Sequence, residues 1–214
     1  MPIYRGDIQK NVSLEAYYEK FKRDVEQDGV DGLEQKENRF IARATYFAGD
    51  RASLYGEIGA THSDEAEGTA PIMGFGLKLA LYNAEMIQIG AFASAQYIHE
   101  IKYETDLEVG EFNQTENYFE INGGIVVSRF MKLGETMGFV PYAGVMASRL
   151  DGNQDYETVN ADGSSESESG YIKDDGLFSI FAGAGLIIND RVGARLEGRF
   201  INQTSFTAGL TYLF

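Results

Sequence analysis

The chain of 214 residues contains no cysteine and no tryptophan, and only three prolines. Without cysteine there is neither a disulfide framework nor a thiolate metal site. A basic excess is also missing. The net charge is −15, which excludes a nucleic-acid partner, because phosphate binding needs a basic surface. No apolar run reaches the ~18–20 residues of a membrane helix. The opening "MPIYRGDIQK" lacks the apolar core of a secretory signal, so Met1 is expected to be an added start on a mature sequence. What is abundant is glycine, 25 residues, with 13 Tyr and 14 Phe. That mixture favours an all-β chain with many turns. Hydropathy alone would read it as soluble, but transmembrane β-strands dilute their apolar residues at alternate positions.

Ten segments alternate with a period of two: 12–21, 38–48, 52–61, 71–82, 86–99, 117–130, 138–149, 176–188, 192–201 and 205–214. Alternation of this kind marks strands with two unlike faces. The connections have a rhythm. Gly49-Asp50-Arg51, Asn83-Ala84-Glu85, Leu133 to Gly138 and Asn189-Asp190-Arg191 are short, whereas the connections after segments 1, 3, 5 and 7 are long and polar. An up-and-down meander with this rhythm has one tight-turn end and one long-loop end, as outer-membrane barrels do. The long stretches 24–37, 61–70, 100–117 and 150–176 hold 23 of the chain's 33 acids and 3 of its 18 bases. One end is therefore strongly anionic.

One face of the segments is apolar throughout, for example Leu14, Ala16 and Tyr18, or Phe75, Leu77 and Leu79. The other carries Glu15, Glu19, Arg39, Arg43, Glu57, Lys78, Glu120, Arg195, Glu197 and Arg199, five acids and five bases. Equal numbers of opposite charge suit a confined lumen, because buried ions need partners. Segments seven and eight are apolar on both faces, and the pattern does not orient them. The expected fold is an all-β transmembrane antiparallel up-and-down barrel, residues 12–214, of ten strands. It is eight if the first segment or a middle pair is misread. Residues 1–11 form a periplasmic N-terminal segment in this reading.

The ten alternating segments and the terminal "AGLTYLF" resemble the small bacterial outer-membrane barrels of the OmpA-, OmpX- and OmpW-like group. That resemblance implies short periplasmic turns, extracellular loops and residence in the bacterial outer membrane. It also implies outer-membrane lipid and lipopolysaccharide as surroundings, and a terminal strand, here Leu210, Tyr212 and Phe214, read by the barrel assembly machinery.

Three functions follow. The first is a structural or surface-interaction barrel, its lumen plugged by the charges and its loops meeting an extracellular or envelope partner. The second is a small-solute, cation-preferring pore, widened by inward Gly74, Gly76, Gly90 and Gly209. The third is a rim hydrolase using His62 and His99, beside Asp64 and Glu100. The His-x-Ser run associated with lipid A deacylases is absent, and the chain is read as no enzyme. No cofactor is expected. Asp151, Asn153, Asp155 and Asp162 have calcium-loop spacing, but Tyr156 stands where the sharp turn wants Gly, and "DGSSESESG" reads as disorder.

Overall fold

The computed structural model describes residues 11–63, 66, 68–84, 87–107, 110–160, 164–174 and 176–214. They form twelve β-strands: β1 Val12–Gln27, β2 Val30–Ala48, β3 Ala52–His62, β4 Ala70–Asn83, β5 Ile87–Leu107, β6 Gly110–Arg129, β7 Met131–Lys132, β8 Met137–Asn160, β9 Ser165–Asp174, β10 Phe178–Ile188, β11 Val192–Ile201 and β12 Gln203–Leu213. The count is twelve, not the expected ten or eight. Ten of them close a ring, β1-β2-β3-β4-β5-β6-β8-β10-β11-β12 and back to β1. Of the two extra strands, β7 has two residues and β9 ten. β7 pairs with the foot of β8, and β9 pairs with the top of β8 and, over three residues, with β1.

The second correction concerns height. Three of the four long polar stretches are paired strands. The β1–β2 hairpin runs to Gln27↔Val30 and turns on Asp28-Gly29, both at positive φ (50° and 83°). These are the dihedrals of a tight hairpin turn of the Asp-Gly kind. The β5–β6 ladder continues to Leu107↔Gly110, and β8–β9 to Val159↔Ser165. Together these hairpins raise a crown above the barrel. The Ser-rich stretch expected to be disordered supplies β9 from Ser165 onward.

Face assignment follows from burial. The outward side chains from Val12 to Tyr18, Phe40 to Tyr46, Leu54 to Ala60, Pro71 to Leu81, Ile87 to Tyr97, Phe119 to Val127, Phe139 to Ala147, Phe178 to Ile188, Val192 to Phe200 and Phe206 to Phe214 carry no charge. Many are fully open: Phe75 is 68% exposed, Ile58 67% and Leu210 66%. A continuous apolar band of this extent far exceeds what a water-facing surface carries, and it defines the membrane-spanning belt. The unoriented segments now have faces. Phe139, Ala143, Val145 and Ala147 of β8 point outward, as do Phe178, Ile180, Ala182, Ala184 and Leu186 of β10. Their inward apolar residues Tyr142, Met146 and Phe181 pack with Val126 and Phe92 as a wall of the lumen.

At the top of β5 the register with β6 slips between Ile98 and Ile101, where Glu100 has φ 54°. The Glu100 N–H donates to Asn117 Oδ1 at 3.0 Å. The added residue of a bulge reverses the in–out parity. Both Ile98 and Ile101 therefore turn inward, at 0% and 3% exposure.

A charged lumen beneath an acidic crown: the candidate functional site

Inward positions on neighbouring strands meet in the lumen, and their charges alternate in sign along one chain of contacts. Glu57 bonds the Arg43 guanidinium. Arg43 Nη1 reaches Glu15 Oε2 at 3.3 Å, and Arg195 Nε lies 2.9 Å from Glu15 Oε1. Arg195 Nη1 meets Glu197 Oε2 at 3.4 Å, and Arg199 Nε meets Glu197 Oε1 at 3.1 Å. Arg199 Nη1 is 3.5 Å from Glu19 Oε1, whose other oxygen lies 3.9 Å from Arg39 Nη1. Arg39 continues to Glu120 Oε2 at 3.3 Å, Glu120 Oε1 to Arg23 Nη2 at 3.1 Å, and Arg23 Nη1 to Asp174 Oδ1 at 3.1 Å. The ladder crosses from β3 by way of β2, β1, β11 and β6 to β9. Glu15, Glu197, Glu19 and Glu120 each face two cations and the end carboxylates Glu57 and Asp174 one, which offsets the cost of removing them from water.

Nine of the ten charges singled out in the sequence stand in this ladder. The tenth, Lys78, faces the lumen with Nζ 5.2 Å from the centre of the Tyr55 ring and is no member of the chain of contacts. Sequence reasoning missed Arg23, Asp174 and Glu37. Arg23 continues the odd-numbered inward face of β1, and Glu37 that of β2, but Arg23 falls past the end of the first segment and Glu37 in a stretch read as loop. Glu37 accepts from Arg39 Nε at 2.9 Å and from the Tyr118 hydroxyl. Phe21, absent from the predicted set, carries two guanidinium groups over its ring, Arg39 at 3.8 Å and Arg23 at 4.9 Å from the ring centre. Such stacking adds cation–π attraction to the ion pairs.

The inward glycines do not widen the lumen. A Cβ on Gly76 would lie 2.3 Å from Tyr55 Cζ, one on Gly74 2.8 Å from Gln96 Cγ, and one on Gly209 2.9 Å from Tyr17 Cβ. On Gly90 it would meet the Leu79 carbonyl oxygen at 3.1 Å. Gly76, Gly74 and Gly209 therefore make room for side chains from the next strand, which fill the bore. A cavity of about 80 Å³ remains among Tyr55, Lys78, Phe92, Ser94, Met146 and Phe181.

Around the upper members of the ladder, Glu120 and Asp174, the inward side chains turn apolar. Val25, Ile72, Ile98, Ile101, Tyr118, Leu150 and Ile172 are each at most 3% exposed and pack together. β9 reaches over this end of the barrel: its Ile172–Asp174 pairs directly with Val25–Gln27 of β1 above the ends of β10, β11 and β12. Beside this cluster Glu116 is buried, at 2% exposure. Its Oε1 accepts from Gln154 at 2.6 Å, Gln114 at 2.7 Å and Gln27 at 3.4 Å. Among the described residues no Lys or Arg is within ion-pair distance of it. Burial is the largest cause that pushes its carboxyl up to about 7, helped by the charge of Glu37 and opposed by the glutamine hydrogen bonds. Asp174, raised by burial to about 6, follows the same direction.

The remaining candidates lie apart. Asp151, Asn153 and Asp155 occupy alternate outward positions of β8 and form no loop. Asp151 pairs with Arg149 at 2.6 Å, and Asp155 accepts from Ser169 at 2.9 Å. Asp162 lies outside the described residues, as do Asp64 and residues 1–10 of the expected N-terminal segment. Two acids and an asparagine on one strand face do not wrap an ion as a turn-built calcium loop does. His62 and His99 both face outward. The His62 Nδ1 sits 2.6 Å from the Gly68 carbonyl oxygen, and His99 Nδ1 2.9 Å from Asn117 Oδ1. Leu210, Tyr212 and Phe214 face outward at the tight-turn end, where the Phe214 N–H donates to the Val12 carbonyl at 3.0 Å.

A closed antiparallel ring, an uncharged outer belt and a tight-turn end define the fold of a bacterial outer-membrane β-barrel. Solved structures share it. The translocator domain of the autotransporter NalP from Neisseria meningitidis superposes with a TM-score of 0.52 at 13% identity, covering 97% of this chain and 90% of that one. The outer membrane protease OmpT from Escherichia coli does so with a TM-score of 0.50 at 12% identity, covering 95% of each chain. At such identities the likeness is one of fold. No protein-family model matches the sequence, and no curated protein does.

Proposed function

We propose that this chain is a non-conducting outer-membrane barrel whose work is done by its crown, on a partner outside the lipid. The observation that carries this reading is the buried apolar cluster Val25, Ile72, Ile98, Ile101, Tyr118, Leu150 and Ile172, which packs together at the upper end of the charge ladder. A solute passing through would have to open that cluster and separate buried ion pairs as well. The crown, by contrast, is built of stiff paired strands and carries most of the chain's acids. A rigid anionic surface recruits a partner with a basic face, because complementary fields speed encounter. The C-terminal Leu210, Tyr212 and Phe214 serve in assembly rather than in this contact.

Planar-bilayer recording tests the proposal. The purified protein should insert without producing steady channels. Stable cation-selective steps from the unmodified protein would overturn the closed reading and favour a pore.

A further inference from the structure

Lys78 is the cation that the luminal ladder leaves over. It lines the cavity of about 80 Å³ together with Arg43, Arg195 and Arg199 and with the carboxylates Glu19, Glu57 and Glu197. A fourth carboxylate, Glu15, is shared by Arg43 and Arg195. The eight charges balance in number but not in place. Every one of the four carboxylates is paired with arginine. Glu57 also accepts from the Tyr17 hydroxyl at 3.0 Å and the Gln96 amide at 2.7 Å. Among the described residues no carboxylate is within ion-pair distance of the half-buried Lys78. Its ammonium instead lies 5.2 Å from the centre of the Tyr55 ring, and Arg43 Cζ lies 4.5 Å from the same centre. Two cations thus share one ring. An ammonium in a membrane span with no counter-ion is costly and points to a function.

Another wall of the cavity is apolar. Phe92, Val126, Met146 and Phe181 pack together there, with the Phe92 and Phe181 rings 5.8 Å apart at 76°. Lys78 stands directly opposite Phe92 in the β4–β5 register, so cationic and apolar walls adjoin. Asn122 also lines the cavity, at 6% exposure. Its amide donates to Glu120 at 2.8 Å, while its Oδ1 has no hydrogen-bond partner. A buried acceptor left unpaired calls for an explanation.

From this we infer that the cavity is a binding site for a short-chain carboxylate, its carboxylate on Lys78 and its chain against Phe92, Met146 and Phe181. A hydroxyl on the chain can donate to Asn122 Oδ1. At about 30 Å³ per water in the liquid, the cavity equals two to three waters, room for about four to six non-hydrogen atoms. The way in is from the tight-turn end. The inward residues Ser13, Thr45, Ser53, Gln88, Ser128 and Thr211 near that end are uncharged, whereas from the crown a ligand would have to part the ladder. In outer-membrane barrels the tight turns face the periplasm. The inference goes beyond the crown's role and uses no crown contact, so conducting channels would refute the closed reading and leave the binding measurement standing.

The experiment uses the whole protein in neutral detergent micelles, titrated with carbon-13-labelled propionate and followed by NMR line broadening. Empty micelles serve as the blank. Propionamide, of the same size without the charge, and formate, without the chain, are the comparison probes. Propionate should bind at least about 10-fold more tightly than either, since a hydrogen bond to a charged group is worth about that much. Lys78→Met keeps the apolar stem and removes the ammonium; it should weaken propionate about 10- to 100-fold and leave propionamide unchanged. The heat-dependent gel shift reports whether the variant is folded, and the three probes on the unmodified protein decide the matter even if it is not. No binding of propionate, equal binding of propionamide or of formate, or native affinity in folded Lys78→Met would overturn the inference.

Discussion

Neutralising Glu116 should make the crown tighter at alkaline pH and less sensitive to pH. The side chain is buried against three glutamine amides, and its carboxyl is raised from an ordinary 4.5 to about 7. Between those values the folded crown holds a proton that the opened crown releases. Opening therefore becomes easier as pH rises through this window, and the stabilisation from the protonated form is fully present below about 4.5 and gone above about 7. At about 1.4 kcal/mol per pH unit, the buried carboxylate costs the crown about 3 kcal/mol at pH 8, roughly a hundredfold in the opening equilibrium. Glu116→Gln removes that cost without losing the contacts. Its remaining oxygen still accepts from Gln154, Gln114 and Gln27, and its amide can donate to the Tyr103 hydroxyl, which lies 3.4 Å from the other carboxylate oxygen. Hydrogen exchange read by mass spectrometry on peptides from 20–38 and 100–117 measures the opening, once intrinsic exchange rates are corrected for pH. Protection in the native protein should fall by up to roughly 100-fold from pH 5 to pH 8, while the variant keeps only the smaller slope from Asp174. Protection that rises with pH, or a Gln variant with the native slope, would refute the assignment.

Two further outcomes bear on the lumen. Arg39→Met strips Glu37, Glu120 and Glu19 of a shared cation at 1% exposure; it should cost roughly 3–5 kcal/mol, seen as a lower temperature for the heat-dependent gel shift. An unchanged transition would mean that water already reaches those carboxylates. Gly76→Ala drives a methyl into the Tyr55 ring and to 2.6 Å from the Ala93 carbonyl oxygen. That overpacking should cost about 1–3 kcal/mol, and a variant as heat-stable as the parent would show that Tyr55 does not rest on the glycine.

The belt and the ladder were legible for one reason. Lipid outside and a confined lumen inside impose opposite chemistry on successive residues, and Leu14-Glu15-Ala16 or Phe40-Ile41-Ala42-Arg43 record it directly. The crown was not legible, because above the lipid both faces of a strand meet water or polar neighbours. "ETDLEVGEFNQTEN" then alternates in nothing that hydropathy detects. Ser165–Gly170, poor in β-formers, is held extended by its ladder with β8 and not by its own preference. The Asp28-Gly29 signal was present, but no apolar alternation flanked it closely enough to mark a hairpin. The bulge at His99–Glu100 was invisible as well, and with it the inward turn of Ile101. The two-faced apolar stretches of β8 and β10 were oriented by glycine. Phe181 lies over Gly144 and Tyr142 over Gly183, a pairing between strands that no single segment contains.

β1 is the strand on which the barrel closes twice. Ser13–Arg23 zips to β12, and Val25–Gln27 to β9. Both seams join residues far apart in the chain, so neither can form until most of it has been brought into place, and contacts of such separation are slow to find. The two seams also check one another. A slip of one residue against β12 would turn Glu15, Glu19 and Arg23 toward lipid and at the same time carry Val25 off its partner Asp174. A misregistered closure below therefore cannot be sealed above. Two short zips on one strand act as a combination lock on the register of the whole ring.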